Sequence, residues 1–97
     1  MTVFILANEF GRHRLGITAS RKMARHAVAR NRAKRLIREA FRLSGPDLDT
    51  LQTKFDWVFN ARRGLLDVKA PAVVAELRVL VDRLRLVEQG SAKKAEH

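Results

Sequence analysis

Ninety-seven residues suffice for one small domain, and a hydrophobic share of 46% supports one modest core, which excludes a wholly disordered chain. The absence of cysteine removes disulfides, thiolate catalysis and Cys-based zinc sites. A formal charge of +10 and a pI near 11.5 point instead to a polyanionic partner, nucleic acid or an anionic membrane surface.

Thr2-Val3-Phe4-Ile5-Leu6-Ala7 is a β-favouring run closed by turn residues Asn8, Glu9 and Gly11. It is far shorter than the ~20 residues of a membrane span and lacks the flanks of a signal peptide. No lipidation motif is visible, so a cytoplasmic chain without membrane attachment is expected. Arg14 to Ala19 follows as a second strand, with Leu15, Ile17 and Ala19 on one face and Arg14, Gly16 and Thr18 on the other. The short connection favours an antiparallel hairpin with one small, polar face open to a ligand. Gly16 in mid-strand marks either close approach by another backbone or a bulge.

Ser20-Arg21-Lys22-Met23-Ala24-Arg25-His26 links this strand to a long helix expected from about Ala27 to Leu43. Ser20 is placed to cap a short turn that delivers Arg21 and Lys22 beside the helix. His26 stands where Asn, Asp or Ser would cap better, and it has no partner at metal-ligand spacing. In the helix, Ala29, Ala33, Leu36, Ile37, Ala40 and Phe41 recur at the spacing of one apolar face. Asn31, Arg35, Arg38 and Arg42 fall opposite, Lys34 and Arg32 border that row, and Arg30 sits nearer the apolar stripe.

Eleven of the twenty Lys and Arg residues lie between Arg12 and Arg42, where Glu39 is the single acid. That span therefore carries the whole excess of +10, and the other nine basic and nine acidic residues cancel. Cations at i, i+4 repel by a few tenths of a kcal/mol per pair, and a helix that is merely solvated mixes its signs. An external polyanion is the natural complement.

Ser44-Gly45-Pro46 supplies the helix stop, and the chain to Lys54 reads as a loop with a short turn near Leu48 to Leu51. Phe55 to Ala61 alternates as a strand, with Phe55, Trp57 and Phe59 on one face. Trp57 is expected to pack in the core, with stacking on a base the alternative. Arg62-Arg63-Gly64 turns the chain, and Pro71 opens a helix with an apolar stripe of Val73, Val74, Leu77, Leu80, Val81 and Leu84. Gly90 is expected to end it, leaving residues 1–90 as one RNA-binding domain and 91–97 as a disordered tail. The order β-β-α-β-α predicts an α+β two-layer domain, with the basic helix crossing between two parallel strands on a small mixed sheet.

No catalytic constellation appears. The acids Glu9, Glu39, Asp47, Asp49, Asp56 and Asp67 are scattered, whereas a metal-dependent nuclease needs them clustered. His13 and His26 are the two candidates for metal-free phosphate chemistry, and both sit in loops. There is no phosphate-binding Gly-rich loop, His-Glu-x-x-His or serine elbow. The chain is expected to bind without catalysing. Structured RNA suits it better than duplex DNA, because one Asn among many cations offers little base reading.

Arg14-Leu-Gly-Ile-Thr-x-Ser20-Arg-Lys and Ala27-Val-x-Arg30-Asn31-Arg32-x-Lys34-Arg35-Leu-Ile-Arg38-Glu-Ala-Phe41-Arg42 together resemble the protein subunit of bacterial ribonuclease P. Asp56-x-Val58-x-x-Ala61-Arg62 is similar to that family's last strand, and the likeness spans about Val3 to Leu86. The resemblance implies a partner RNA that carries the catalysis, removes the 5′ leader of precursor tRNA, and binds the necessary Mg²⁺ mainly itself. It implies a left-handed crossover by the basic helix, against the common right-handed rule. It further implies RNA held by Ser20, Arg21, Lys22, Arg30, Asn31, Arg32, Lys34, Arg35, Arg38 and Arg62; Arg14 and Arg42 are expected to join them, with one copy of the chain in the ribonucleoprotein. The leader would lie along a cleft of the sheet. Family members begin with a basic helix and a further strand, whereas this sequence opens at the strand holding Phe4, and they place Asn where this chain has His26. A general structured-RNA-binding or ribosome-associated module is the alternative reading.

Overall fold

The computed structural model describes residues 2–22 and 24–95. In chain order it forms β1 (Thr2–Asn8), β2 (Arg14–Thr18), α1 (Ala27–Leu43), a short α2 (Gly45–Leu48), β3 (Lys54–Asn60), a 3-10 turn (Arg63–Asp67) and α3 (Ala70–Ala95). The α+β architecture, the basic crossover helix and the parallel pairing of its flanking strands are as expected.

The expected β1–β2 hairpin is not formed. β3 lies between the other two, in the order β1-β3-β2, antiparallel to β1 and parallel to β2. Two strands separated by a third lie about 10 Å apart, and a five-residue link reaches roughly 17 Å, so the short connection permits the skip. Burial favours it. Trp57 and Phe59 on β3 are fully buried, and in the central place they are flanked by Ile5 and Val3 on one side and by Leu15 and Ile17 on the other. An edge position would leave one flank of the largest side chain in the molecule uncovered.

The link itself has the turn chemistry that its residues suggest. Asn8 Oδ1 accepts the Phe10 N–H at 2.9 Å, Asn8 Nδ2 donates to the Arg12 carbonyl at 3.2 Å, and Gly11 takes φ +75°. Gly16 serves neither expected purpose. The β2–β3 register runs through it without a bulge, and a Cβ there would meet only the Val58 side chain at an ordinary 3.7 Å.

Helices cover one face of the sheet. Ala33, Ile37 and Ala40 of α1 and Val73, Leu77 and Val81 of α3 bury the two helical stripes against Trp57 and Phe59. Each large side chain so buried contributes about 1.5–3 kcal/mol. The stop after Leu43 holds: Ser44 N–H donates to the Ala40 and Phe41 carbonyls, and its Oγ donates to Ala40 O at 2.8 Å. The expected turn at Leu48 to Leu51 is closed by Leu51 N–H to Leu48 O at 3.1 Å, and a short helix not expected from sequence, Gly45–Leu48, precedes it with Pro46 in its first turn, where a fixed φ and a missing N–H are tolerated.

The expected stop at Gly90 is likewise corrected, since α3 runs on to Ala95. A single glycine costs a helix only about 1 kcal/mol relative to alanine. No proline follows it, and Ala92, Lys93, Lys94 and Ala95 are all good helix formers. The last two residues of the expected tail, Glu96 and His97, lie outside the described residues.

Candidate nucleic-acid interface

The topology decides which cations meet. β2 and β3 are parallel, Thr18 pairs with Asn60, and Ala61 N–H donates to Thr18 O at 2.8 Å. The segments leaving the two strands, Ser20-Arg21-Lys22 and Arg62, therefore emerge at the same end of the sheet. A turn closed by Ala24 N–H to Ser20 O at 3.4 Å carries Arg21 and Lys22, both exposed.

α1 must then run back from this end to reach the start of β3. Its 17 residues make about 25 Å of helix, close to the length of the strands it spans. Arg30, Asn31 and Arg32, in its first two turns, thus lie at the Ser20–Arg62 end. Asn31, Arg35, Arg38 and Arg42 follow along the exposed side, with Lys34 half-buried beside them.

The expected residues are not equivalent. Arg30 Nη1 donates to the carbonyls of Ala24 and Arg25, each at 2.9 Å, and so pins the linker to the helix start. Arg42 pairs with Glu39 at 2.5 Å, and its hydrogen bonds hold that carboxyl below the usual carboxylate range. Arg14 lies at the opposite end of β2 from Ser20. It grips Asp56 with two hydrogen bonds of 2.7 and 2.6 Å, and its guanidinium sits 3.8 Å over the Phe10 ring. Asp56 is pushed below its ordinary range by Arg14, with Asn8 Nδ2 helping at 2.8 Å. Among the described residues, Arg21, Lys22, Arg32, Lys34, Arg35, Arg38 and Arg62 make no side-chain hydrogen bond or ion pair. These seven, all among the residues expected to bind RNA, are an uncompensated part of the positive surface.

His13 and His26 take no part in such a surface. His13 Nδ1 accepts from the Phe55 N–H and from Trp57 Nε1, each at 3.1 Å, while Nε2 donates to the Leu48 carbonyl at 3.2 Å. Burial is the main cause that lowers its pKa, and Lys54 adds to it, so the ring is held neutral. His26 occupies the N-cap of α1 (φ −89°, ψ 135°) without a capping side-chain bond. Among the described residues, no group of three or more His, Asp or Glu side chains could hold a metal ion, and no helix is long and apolar enough to cross a membrane.

Sequence reasoning expected an open sheet face at Arg14, Gly16 and Thr18 but missed the two apolar side chains of β1 that share it. Phe4 and Leu6 are 58% and 67% exposed, on the side away from the helices, with Val58 and Gly16 across from Phe4 and Asp56 and Arg14 across from Leu6. Alternation along β1 marks Phe4 and Leu6 as opposite to Val3 and Ile5, but only the sheet order shows which pair stays uncovered. Lys69, just before α3, was missed as well, because nothing local ties it to α1.

The ribonuclease P family model matches residues 1–85. The chain belongs to the ribonuclease P protein family. It is 40% identical over 86 residues to the ribonuclease P protein component of Pelotomaculum thermopropionicum, covering 89% of this chain and 73% of that relative. Against the corresponding protein of Escherichia coli K12 it is 35% identical over 91 residues, covering 94% and 73%. It covers a smaller share, 57%, of the Methylococcus capsulatus relative, at 40% identity over 79% of this chain. The crystallised ribonuclease P protein of Staphylococcus aureus is similar in fold, with a TM-score of 0.61 at 30% identity over 82% of this chain and 70% of that one. Membership of the ribonuclease P family accounts for a basic surface without a catalytic constellation, since the family's protein is one component of a ribonucleoprotein nuclease.

Proposed function

We propose that this chain docks on the catalytic RNA of ribonuclease P and helps it remove the 5′ leader of precursor tRNA. The docking surface in this reading is the outer side of α1 from Asn31 to Arg38, with Ser20, Arg21, Lys22 and Arg62 at its head. The supporting observation is that seven cations free of internal partners gather on one helix side and one sheet end. Phosphates supply the complementary charge, and their placement in a folded RNA supplies the shape. Arg30 and Arg42 lie along the same helix and Arg14 on the open face of the sheet, and all three act chiefly by holding the fold, since their guanidinium groups already have protein partners.

The open face of the sheet, with Phe4 and Leu6, is the place in this reading for the single-stranded leader. One copy of the chain serves one RNA, Mg²⁺ is held mainly by the RNA, and the particle works in the cytoplasm. The chain's own part is to neutralise phosphates and position the substrate.

The test is cleavage of precursor tRNA by a bacterial ribonuclease P RNA at low Mg²⁺, with and without the chain. Stimulation by the wild type that is lost in Arg35→Ala/Arg38→Ala is the expected result. Equal affinity for unrelated structured RNAs, with no stimulation, would overturn the reading in favour of a general RNA-binding module.

A further inference from the structure

Beside the docking surface, on the side of α1 that Arg32 borders, lies a second feature. Arg32 and Leu36 face α3, and between them, the 3-10 turn and the first residues of α3 lies a cavity of about 260 Å³. Its floor is apolar: Ala33 and Leu65 are 1% and 6% exposed, Leu36 is half-buried, and Val68 closes the outer wall. Its rim is cationic, with Arg32 on one lip and Lys69 on the other. A shallower groove of about 430 Å³ continues from it past Arg35. Glu39 is the single acid along this path, and its charge is matched by Arg42.

We propose that this cavity holds one unstacked nucleotide of the bound RNA, with its base on the Leu36–Leu65–Val68 floor and its flanking phosphates on Arg32 and Lys69. The proposal rests on the RNA-docking reading and adds a specific subsite to it. The volume lies just under the roughly 300–1,000 Å³ of drug-sized ligand pockets, which suits a single base and not a stacked pair. The apolar lining of Ala33, Leu36, Leu65, Val68 and Ala70 suits a base face, and a guanidinium plane such as that of Arg32 stacks on one without reading its identity. Cations on both lips match a chain that enters and leaves with a phosphate on each side. An apolar peptide would use the floor and leave both charges unanswered. The groove past Arg35 also joins the cavity to the docking surface, so an RNA lying on α1 needs to turn out only one residue to reach it.

The test uses the full chain with methyl-labelled Leu and Val, titrated with AMP and, as a probe without a base, with ribose 5-phosphate at equal ionic strength. AMP at millimolar concentration should move the Leu36, Leu65 and Val68 methyl signals saturably and leave those of Leu86 and Val87 in place. Ribose 5-phosphate should move them far less, and Lys69→Ala should raise the AMP concentration needed severalfold. Unmoved methyls, or equal movement by ribose 5-phosphate, would overturn the subsite. Affinity of Arg35→Ala/Arg38→Ala for ribonuclease P RNA, measured alongside, reports on the docking surface alone. A weakened double mutant with unmoved methyls removes the subsite and leaves the RNA reading intact.

Discussion

The indole Nε1 of Trp57 donates its hydrogen to Nδ1 of His13 at 3.1 Å, and that same nitrogen also accepts the Phe55 N–H. A residue from the β1–β2 link thus satisfies the polar edge of the most buried side chain on β3, and its Nε2 ties the pair to α2 through Leu48 O. Protonating Nδ1 abolishes the acceptor. Since the folded state holds the His13 pKa below its ordinary 6.5, the unfolded chain binds the proton first. The contribution is complete above pH 6.5 and declines as pH falls from there through the folded value. Urea midpoints measured from pH 8 to pH 5 should show this decline in the wild type. In His13→Ala the His13 part of it should vanish, with stability at pH 8 lower by about 1–3 kcal/mol because the buried indole N–H loses its partner.

His26 has N-cap dihedrals and no capping bond, so the cap is geometrically ready and chemically vacant. His26→Asn places a side-chain oxygen where it can accept from the second or third helical N–H. A gain of about 1 kcal/mol is expected. For a domain of this size that corresponds to a melting temperature higher by roughly 4–8 °C. An unchanged melting temperature would mean that the first turn of α1 is already satisfied by other means.

Two classes of arginine should separate in a salt titration of RNA binding. Arg35 and Arg38 are free of protein partners, and removing both should lower the log–log salt slope by about 1.4–1.8, at about 0.7–0.9 per lost phosphate contact. Arg14 is closed against Asp56 and Phe10. Arg14→Ala should lower the melting temperature slightly and leave the slope unchanged. A slope reduced equally by Arg14→Ala would show that its ion pair opens to RNA.

Glu88 acts at a distance from all of this. Its two carboxylate oxygens accept the backbone N–H groups of Gln52 and Thr53, at 3.1 and 2.9 Å, so α3 fastens the approach to β3. Hydrogen bonds to a charged acceptor are each worth about 1.5–3 kcal/mol. Glu88→Ala should therefore speed amide exchange at Gln52 and Thr53 by about tenfold or more, with much less change at Trp57 and Phe59. Equal exchange in both proteins would assign the ordering of this segment to Leu51, which is fully buried beside it.

The helices were legible because their signals are local. The α1 boundaries, its buried Ala33, Ile37 and Ala40, and the stripe on α3 follow from spacing and stop residues alone. Strand existence was legible on the same grounds, including the burial of Trp57. Strand order was not, because pairing is decided by which strand gains most from two neighbours, and a five-residue link allows either outcome. The candidate interface divides in the same way. Position on the helix predicted the outward placement of Asn31, Arg35 and Arg38, whereas the roles of Arg14, Arg30 and Arg42 depend on acceptors set by the fold. The Asp56 that engages Arg14 is 42 residues away in sequence.

The central place of β3 bears on how the chain comes off the ribosome. Among the described residues, β1 and β2 pair only with β3, so neither can complete its ladder until Asn60 has been made. Forty-two residues separate the end of β2 from the end of β3, by subtraction of 18 from 60. At about 5–20 residues per second, that is roughly 2–8 s of synthesis. During that interval the uncharged segment from Thr2 to Asn8 waits with both ladder edges bare, the condition in which strands find wrong partners. The nascent basic helix, in contrast, needs no sheet to present its charge and can meet nucleic acid first. Translation speed thus becomes part of how this small domain reaches its native pairing.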